Sequence, residues 1–309
     1  MMRCILMHIC ILLAVGCAKQ DNKAVNSTVS LADVQAKRDL YLSLQESQKN
    51  EHGWLESECD ALLSNSLAAY AGLSIDISKA EELPGRWRRH PDFSKCLPGN
   101  GSKSTISKDM MRGLLLYLWK TKDLAAIERI QEYGSKNNWV MGEAEDEESY
   151  WGRVVFWPLV PQIKDMSKLM QTSLQNAVLS YNDEYGYVVL KRTFEAHLHV
   201  LNIYLRAQMY GGITDYELAA LKEYSKFQPR NALFAAMAAK FSTGDYSWPI
   251  ALLLDEPMFP KDRLPTSADR CTDYLWSKEA QDDRDYFPCD EGHTHPGTDL
   301  TFVVKIMEE

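Results

Sequence analysis

From Trp54 onward, apolar residues recur at helical spacing. Leu55, Cys59, Leu62, Leu63, Leu67 and Tyr70 follow a period of about 3.6 residues and predict a helix from Leu55 to Gly72. A long irregular segment, Ile75 to Lys103, comes next. The clearest hairpin follows it. Met110, Leu114, Tyr117 and Leu118 share one face of a helix over Ser107 to Thr121, and Leu124, Ile127 and Ile130 share one face of a second over Asp123 to Tyr133. Gly134 stands where a glycine would close that second helix. Further helices are predicted over Val160 to Tyr181, Val189 to Tyr210, Asp215 to Phe227 and Arg230 to Phe241, with Gly211, Gly212 and Gly244 as stops. Thr214 and Glu217 have the spacing of a capping box. An earlier helix, Ser30 to Lys49, has an exposed-looking composition and is expected to pack loosely. Only Tyr187 to Leu190 and Leu300 to Val304 have a strand-like character, and both fit a helix as well. The pattern predicts an all-α domain over residues 29–309, with long irregular loops.

The N-terminus has a different pattern. After Arg3, an apolar run from Cys4 to Val15 covers about a dozen residues, short of the roughly 20 that a spanning helix needs. It ends in Leu12-Leu13-Ala14-Val15-Gly16-Cys17. This arrangement resembles a bacterial lipoprotein signal peptide with its lipobox. The resemblance implies that residues 1–16 are removed, that Cys17 carries acyl chains on its sulfur and amine, and that the protein is anchored to a lipid bilayer in the cell envelope. Ala18, in place of an aspartate, implies the outer membrane. Residues 17–28 are small and polar and read as a lipidated cysteine with a flexible tether. A simple cleaved secretory signal is the alternative.

Charge and cysteine usage sharpen this picture. With 43 acidic against 34 basic residues and a net charge of −9, the chain lacks the electrostatic footprint of a nucleic-acid binder. Beyond the signal and Cys17, the cysteines are Cys59, Cys96, Cys271 and Cys289. Cys59–Cys96 and Cys271–Cys289 are the favoured disulfides, because each pair brackets one loop-rich stretch and closes a loop of modest size. Buried free thiols are the alternative. No Cys-x-x-Cys spacing points to zinc, and nothing calls for a cofactor.

Candidate chemistry lies between the predicted helices. Arg86-Trp87-Arg88-Arg89-His90 could fork an anionic or hydroxyl-rich ligand, or pair with acidic neighbours as a solvated loop. Asp109 opens a helix, where capping or catalysis would each explain a carboxylate. The proline-rich stretch Asp255 to Arg270, which includes Arg263, is a structural brace or a binding loop. Gly292 to Asp299 places His293 and His295 on one side of an extended chain, with Asp299 nearby, for a metal, for acid–base work or for structure. His197 and His199 lie two apart on a predicted helix, about 200° around it, so they cannot form a joint site. His197 is a cavity-lining candidate. The acidic run Glu143 to Glu148 reads as a solvated loop or a calcium site.

Successive helical hairpins over residues 54–309 are similar to those of the six-hairpin (α/α) toroid glycosidases and polysaccharide lyases, whereas no fixed repeat of about 34 residues suggests a tetratricopeptide array. The resemblance implies a glycan ligand. Asp60, Asp109, His293 and Asp299 would then be the catalytic candidates, and Arg86, Trp87, Arg89, His197, Arg263 and His295 would bind substrate. Hydrolysis needs two placed carboxyl groups; a lyase would use arginine on a uronate and His or Tyr as base. The alternative is a non-catalytic lipoprotein that binds, shields or supports.

Overall fold

The computed structural model describes residues 30–100, 103–145, 154–156, 159–172, 193–266 and 295–309. The described residues are mostly helical, with ten helices and two small antiparallel sheets. At the centre is α2 (Ala61–Ala71), in which every residue except Ala69 is buried. It packs on α3 (Lys108–Thr121) and on α10 (Thr298–Glu308). Gly113 permits the close approach of α3, since a Cβ there would lie 2.8 Å from the Leu63 side chain.

The N-terminal boundary of α2 falls later than the periodicity predicts. Asn65 on α2 accepts from the Leu55 amide (2.8 Å) and donates to the Leu55 carbonyl (2.9 Å), which holds that segment as extended chain. A 3-10 turn, Glu58–Asp60, then leads into the helix. At the other end, Gly72 adopts φ +115° and the Leu73 amide closes onto the Ala68 carbonyl at 3.0 Å.

The segment expected to be irregular contains a hairpin of β1 (Glu81–Leu83) and β2 (Arg86–Trp87). Its turn residue Gly85 has φ +81° and lies flat on α4 (Leu124–Lys136), where any Cβ would run into the Arg129 carbonyl and the Tyr133 side chain. Helices α3 and α4 form the predicted hairpin. However, Gly134 does not end α4, which continues to Lys136. The glycine is small for a different reason: the Trp139 indole packs where its Cβ would be. Next come β3 (Val140–Gly142), paired with β4 (Val154–Val155), and α5 (Val160–Thr172). The predicted continuation to Tyr181, and the strand-like Tyr187 to Leu190, lie outside the described residues.

Helix α6 (Thr193–Tyr210) is followed by α7 (Asp215–Phe227), whose capping box of Thr214 and Glu217 forms as expected. Helix α8 (Ala232–Lys240) is buried at every position from Ala232 to Ala239. Asn231 caps it, accepting from the Leu233 and Phe234 amides. One helix differs from expectation. α9 (Ser247–Leu254) was not predicted, and its eight residues are almost uniformly apolar, so they show no period. Leu300 to Val304 is helical within α10, because burial on nearly all faces overrides the β preference of Val303 and Val304.

Helix α1 (Leu31–Ser47) packs more firmly than expected. Val34, Lys37, Tyr41 and Gln45 form one buried stripe against α9 and α10. Its polar members disguise it in sequence. The Tyr41 hydroxyl donates to the Pro260 carbonyl (2.9 Å), Gln45 donates to the Pro296 carbonyl (2.7 Å), and Lys37 buries its stem while reaching Glu256 (3.6 Å).

Gly85→Ala is expected to lower unfolding stability by about 2 kcal/mol or more, because the left-handed turn and the contact with α4 are lost together. Urea unfolding followed by circular dichroism checks this; an unchanged midpoint would show that the turn tolerates a side chain.

Candidate functional site

The predicted arginine cluster lies beside a disulfide. Cys59 and Cys96 are joined with Cα atoms 5.4 Å apart, tying the turn before α2 to the loop after the β1–β2 hairpin. Arg89 knits the same region. Its guanidinium donates to the Ser104 carbonyl (2.6 Å), the Ser104 hydroxyl (2.7 Å), the Cys59 carbonyl (2.7 Å) and the Asp60 carboxylate (3.3 Å). Its main chain accepts from the Leu62 amide and donates to the Thr105 carbonyl. The neighbouring cations are matched as well. Arg88 forks Glu82 (2.8 and 2.9 Å), and this bond holds the Glu82 carboxyl below its usual range. Arg86 lies 3.3 Å from Glu82 and 3.8 Å from Glu143, Arg129 forks Glu81, and Trp87 is buried. The cluster is therefore largely neutralised from within.

Asp60 is held by Arg89, and Asp109 accepts from the Ser107 hydroxyl at the start of α3. Ser104 and Ser107 belong to the short segment that leads into α3, so both carboxylates are bonded to groups that brace it. His90, the last residue of the predicted cluster, is 1% exposed and edge-on to His52, with ring centroids 5.6 Å apart. Its Nδ1 accepts from the Asp92 amide (2.9 Å), and Glu56 is 3.8 Å from Nε2. Burial, then the charge of Lys95, lowers its pKa.

The structure brings the two C-terminal loop candidates together. The His295 amide donates to the Pro265 carbonyl (2.8 Å), two residues from Arg263, whose guanidinium donates to the Leu264 carbonyl. A Cβ on Gly297, at φ +66°, would be 2.9 Å from Tyr41 and 3.0 Å from Leu264. Both loops thus close over α1. Asp299 is buried in the first turn of α10, while His293 lies outside the described residues. So do Cys17, Cys271 and Cys289.

A third polar group surrounds the predicted candidate His197 and extends beyond it. His197 and His199 are both buried on α6. From His199, the stripe continues through Asn202, Arg206 and Tyr210 at steps of three and four residues, a pattern visible in the sequence. It faces α5 and α7. His199 Nδ1 bonds the Tyr224 hydroxyl (2.8 Å), Gln162 reaches Asn202 (3.5 Å), the Tyr210 hydroxyl donates to Asp165 (3.0 Å), and Arg206 pairs with Glu217. Burial, followed by the Asp165 charge, raises the Tyr210 pKa, and burial lowers that of Arg206 against the opposing effect of Glu217. Glu217 also accepts from the Thr214 amide and hydroxyl, so its contacts are those of a helix brace. Near α10, the Tyr70 (2.5 Å) and Tyr204 (2.7 Å) hydroxyls converge on the Glu309 carboxylate, which also pairs with Lys120.

Among the described residues, no group of three or more His, Cys, Asp or Glu side chains is arranged to hold a metal ion. Compared with known proteins, the chain matches no family model, no curated protein and no solved structure.

Replacing Arg89 by leucine should cost about 3 kcal/mol, since several buried carbonyl and hydroxyl partners are orphaned at once; equal urea midpoints for variant and wild type would refute the brace. His90 gives a pH dependence. Its folded pKa lies below the ordinary value of about 6.5, so the unfolded chain binds the proton first and stability falls as pH drops below about 6.5. His90→Phe is expected to flatten that decline, measured as urea midpoints on both sides of this pH.

Proposed function

We propose that this protein is an exported, lipid-anchored envelope lipoprotein whose folded body serves as a non-catalytic binding or structural element. The observation that carries the reading is the Cys59–Cys96 disulfide. Such bonds persist in oxidising compartments, which is where a chain with the apolar run Cys4 to Val15 and the motif ending at Cys17 would be delivered. Two or more acyl chains on Cys17 would give stable attachment where one gives only marginal binding. On this proposal the outer membrane is the destination, as Ala18 implies.

The non-catalytic part is supported by how the candidate groups are engaged. Asp60 is bonded to Arg89, Asp109 to Ser107, and Arg86 and Arg88 face Glu82. The toroid reading keeps the successive pairs α3–α4 and α7–α8 in its favour. The near-complete burial of α2 and α8 speaks against an open centre for a glycan. A glycan hydrolase or lyase would need two carboxyl groups, or an arginine and a base, facing such a cleft.

Two measurements test the proposal. Mass spectrometry of the membrane-extracted protein is expected to find acyl groups on Cys17, and Cys17→Ser should move the protein out of the membrane fraction. Incubation with neutral, amino and uronic-acid polysaccharides should release neither reducing ends nor unsaturated products. Turnover that disappears in Asp109→Asn or Asp60→Asn would replace the binding role with an enzymatic one.

A further inference from the structure

We propose that the surface carrying Phe227 and Trp248 rests on the headgroup region of the bilayer that anchors the protein; this builds on the lipid-anchor reading above. Trp248, in the first turn of α9, is 52% exposed, and Phe227, the last residue of α7, is 45% exposed. The indole N–H donates to the Pro229 carbonyl at 2.8 Å, two residues beyond Phe227, which places both rings on one patch and fixes the indole there. With its polar hydrogen already bonded, the indole offers the surroundings mainly its apolar faces. Tryptophan is enriched at the membrane interface, where it sits at headgroup level, and here its exposed faces are what the lipid would meet.

Charge gives the patch an orientation. Around it are the exposed Lys222, Lys226 and Arg230 against Glu223 and Asp245, on a chain whose net charge is −9. Lys226 pairs with Glu223 at 2.5 Å. Anionic headgroups would repel the chain as a whole, whereas the exposed charges of this face nearly balance. Among the described residues, the other large exposed apolar side chains are placed differently, with Leu40 on α1, Leu83 on β1 and Tyr216 at the start of α7.

Tether length selects the membrane over a second copy of the chain. Residues between Cys17 and Ser30 span at most about 45 Å when extended, against a radius of gyration of roughly 19 Å for a body of this size. Helix α1, which begins at Leu31, packs on α9, so the tether lets the face around α9 reach the lipid, and a weak contact there gains a high effective concentration. Two aromatic rings cover only about 300–500 Å², well short of the roughly 1,200 Å² of a stable protein interface.

The test uses the full chain reconstituted into phosphatidylethanolamine vesicles with a minority of phosphatidylglycerol, in which the acyl chains are brominated to quench nearby indoles. The lipid-dependent part of tryptophan quenching is expected to disappear in Trp248→Phe, to fall in Phe227→Glu and to persist in Leu83→Ser. Equal quenching in wild type and Trp248→Phe, or no effect of Phe227→Glu, would overturn the patch. So would a concentration-dependent dimer, seen by sedimentation, that Trp248→Ser abolishes. Failure of the anchor reading is separate and visible by mass, as an unacylated Cys17. In that case the chain is held on the vesicles through an N-terminal histidine tag and a chelator lipid, and the Trp248 signal is read in the same way.

Discussion

Helix α2 has almost no face to give to water, and the rest of the body follows from that constraint. A helix with ten buried positions of eleven must be covered on all sides, by α3 through the Gly113 contact and by the terminal helix α10. Burying it also removes water from its polar residues, so each must find a protein partner or remain a cost. Asn65 solves this by bonding both backbone groups of Leu55, which brings the preceding chain into register. The disulfide and Arg89 then fix the entrance to the same helix from the outside.

A second theme is the matching of charge inside a predominantly acidic chain. Arg88 with Glu82 ties the two sides of the β1–β2 hairpin, while Arg129 with Glu81, Arg206 with Glu217 and Arg89 with Asp60 each join one element to another. Pairs of this kind add little net stability over well-packed apolar side chains, yet breaking one member is expensive. They therefore act as register marks between elements that otherwise meet through interchangeable leucines and alanines. The consequence for function is that residues with the right chemistry for an active site are engaged in holding the body together.

The proposed anchor and the proposed membrane patch fit one physical picture. A tethered body is confined near the bilayer, and once confined it needs only two aromatic rings on a face of nearly balanced charge to choose which side it turns down. The opposite faces would then be presented outward, available to a partner.

What the sequence determined by itself was whatever is encoded in local periodicity and in short motifs. The α3–α4 hairpin, the Thr214–Glu217 capping box, the Cys59–Cys96 pairing and the all-α character were readable there, because each depends on neighbours within a few turns or on one bracketed loop. The tertiary structure decided the rest. α9 has almost no polar positions to set a period, the run Leu300 to Val304 of α10 fits strand and helix alike until it is packed, and α1 hides its buried stripe behind a lysine, a tyrosine and a glutamine whose acceptors are far along the chain. Gly134 read as a stop because a glycine after an apolar period usually is one; Trp139 gives it a different purpose. The arginine cluster was visible as composition, but whether it bound a ligand or its own neighbours depended on Glu82, Glu143, Asp60 and Ser104. Charges distant in sequence find one another only after the chain has packed, and no local pattern records that outcome.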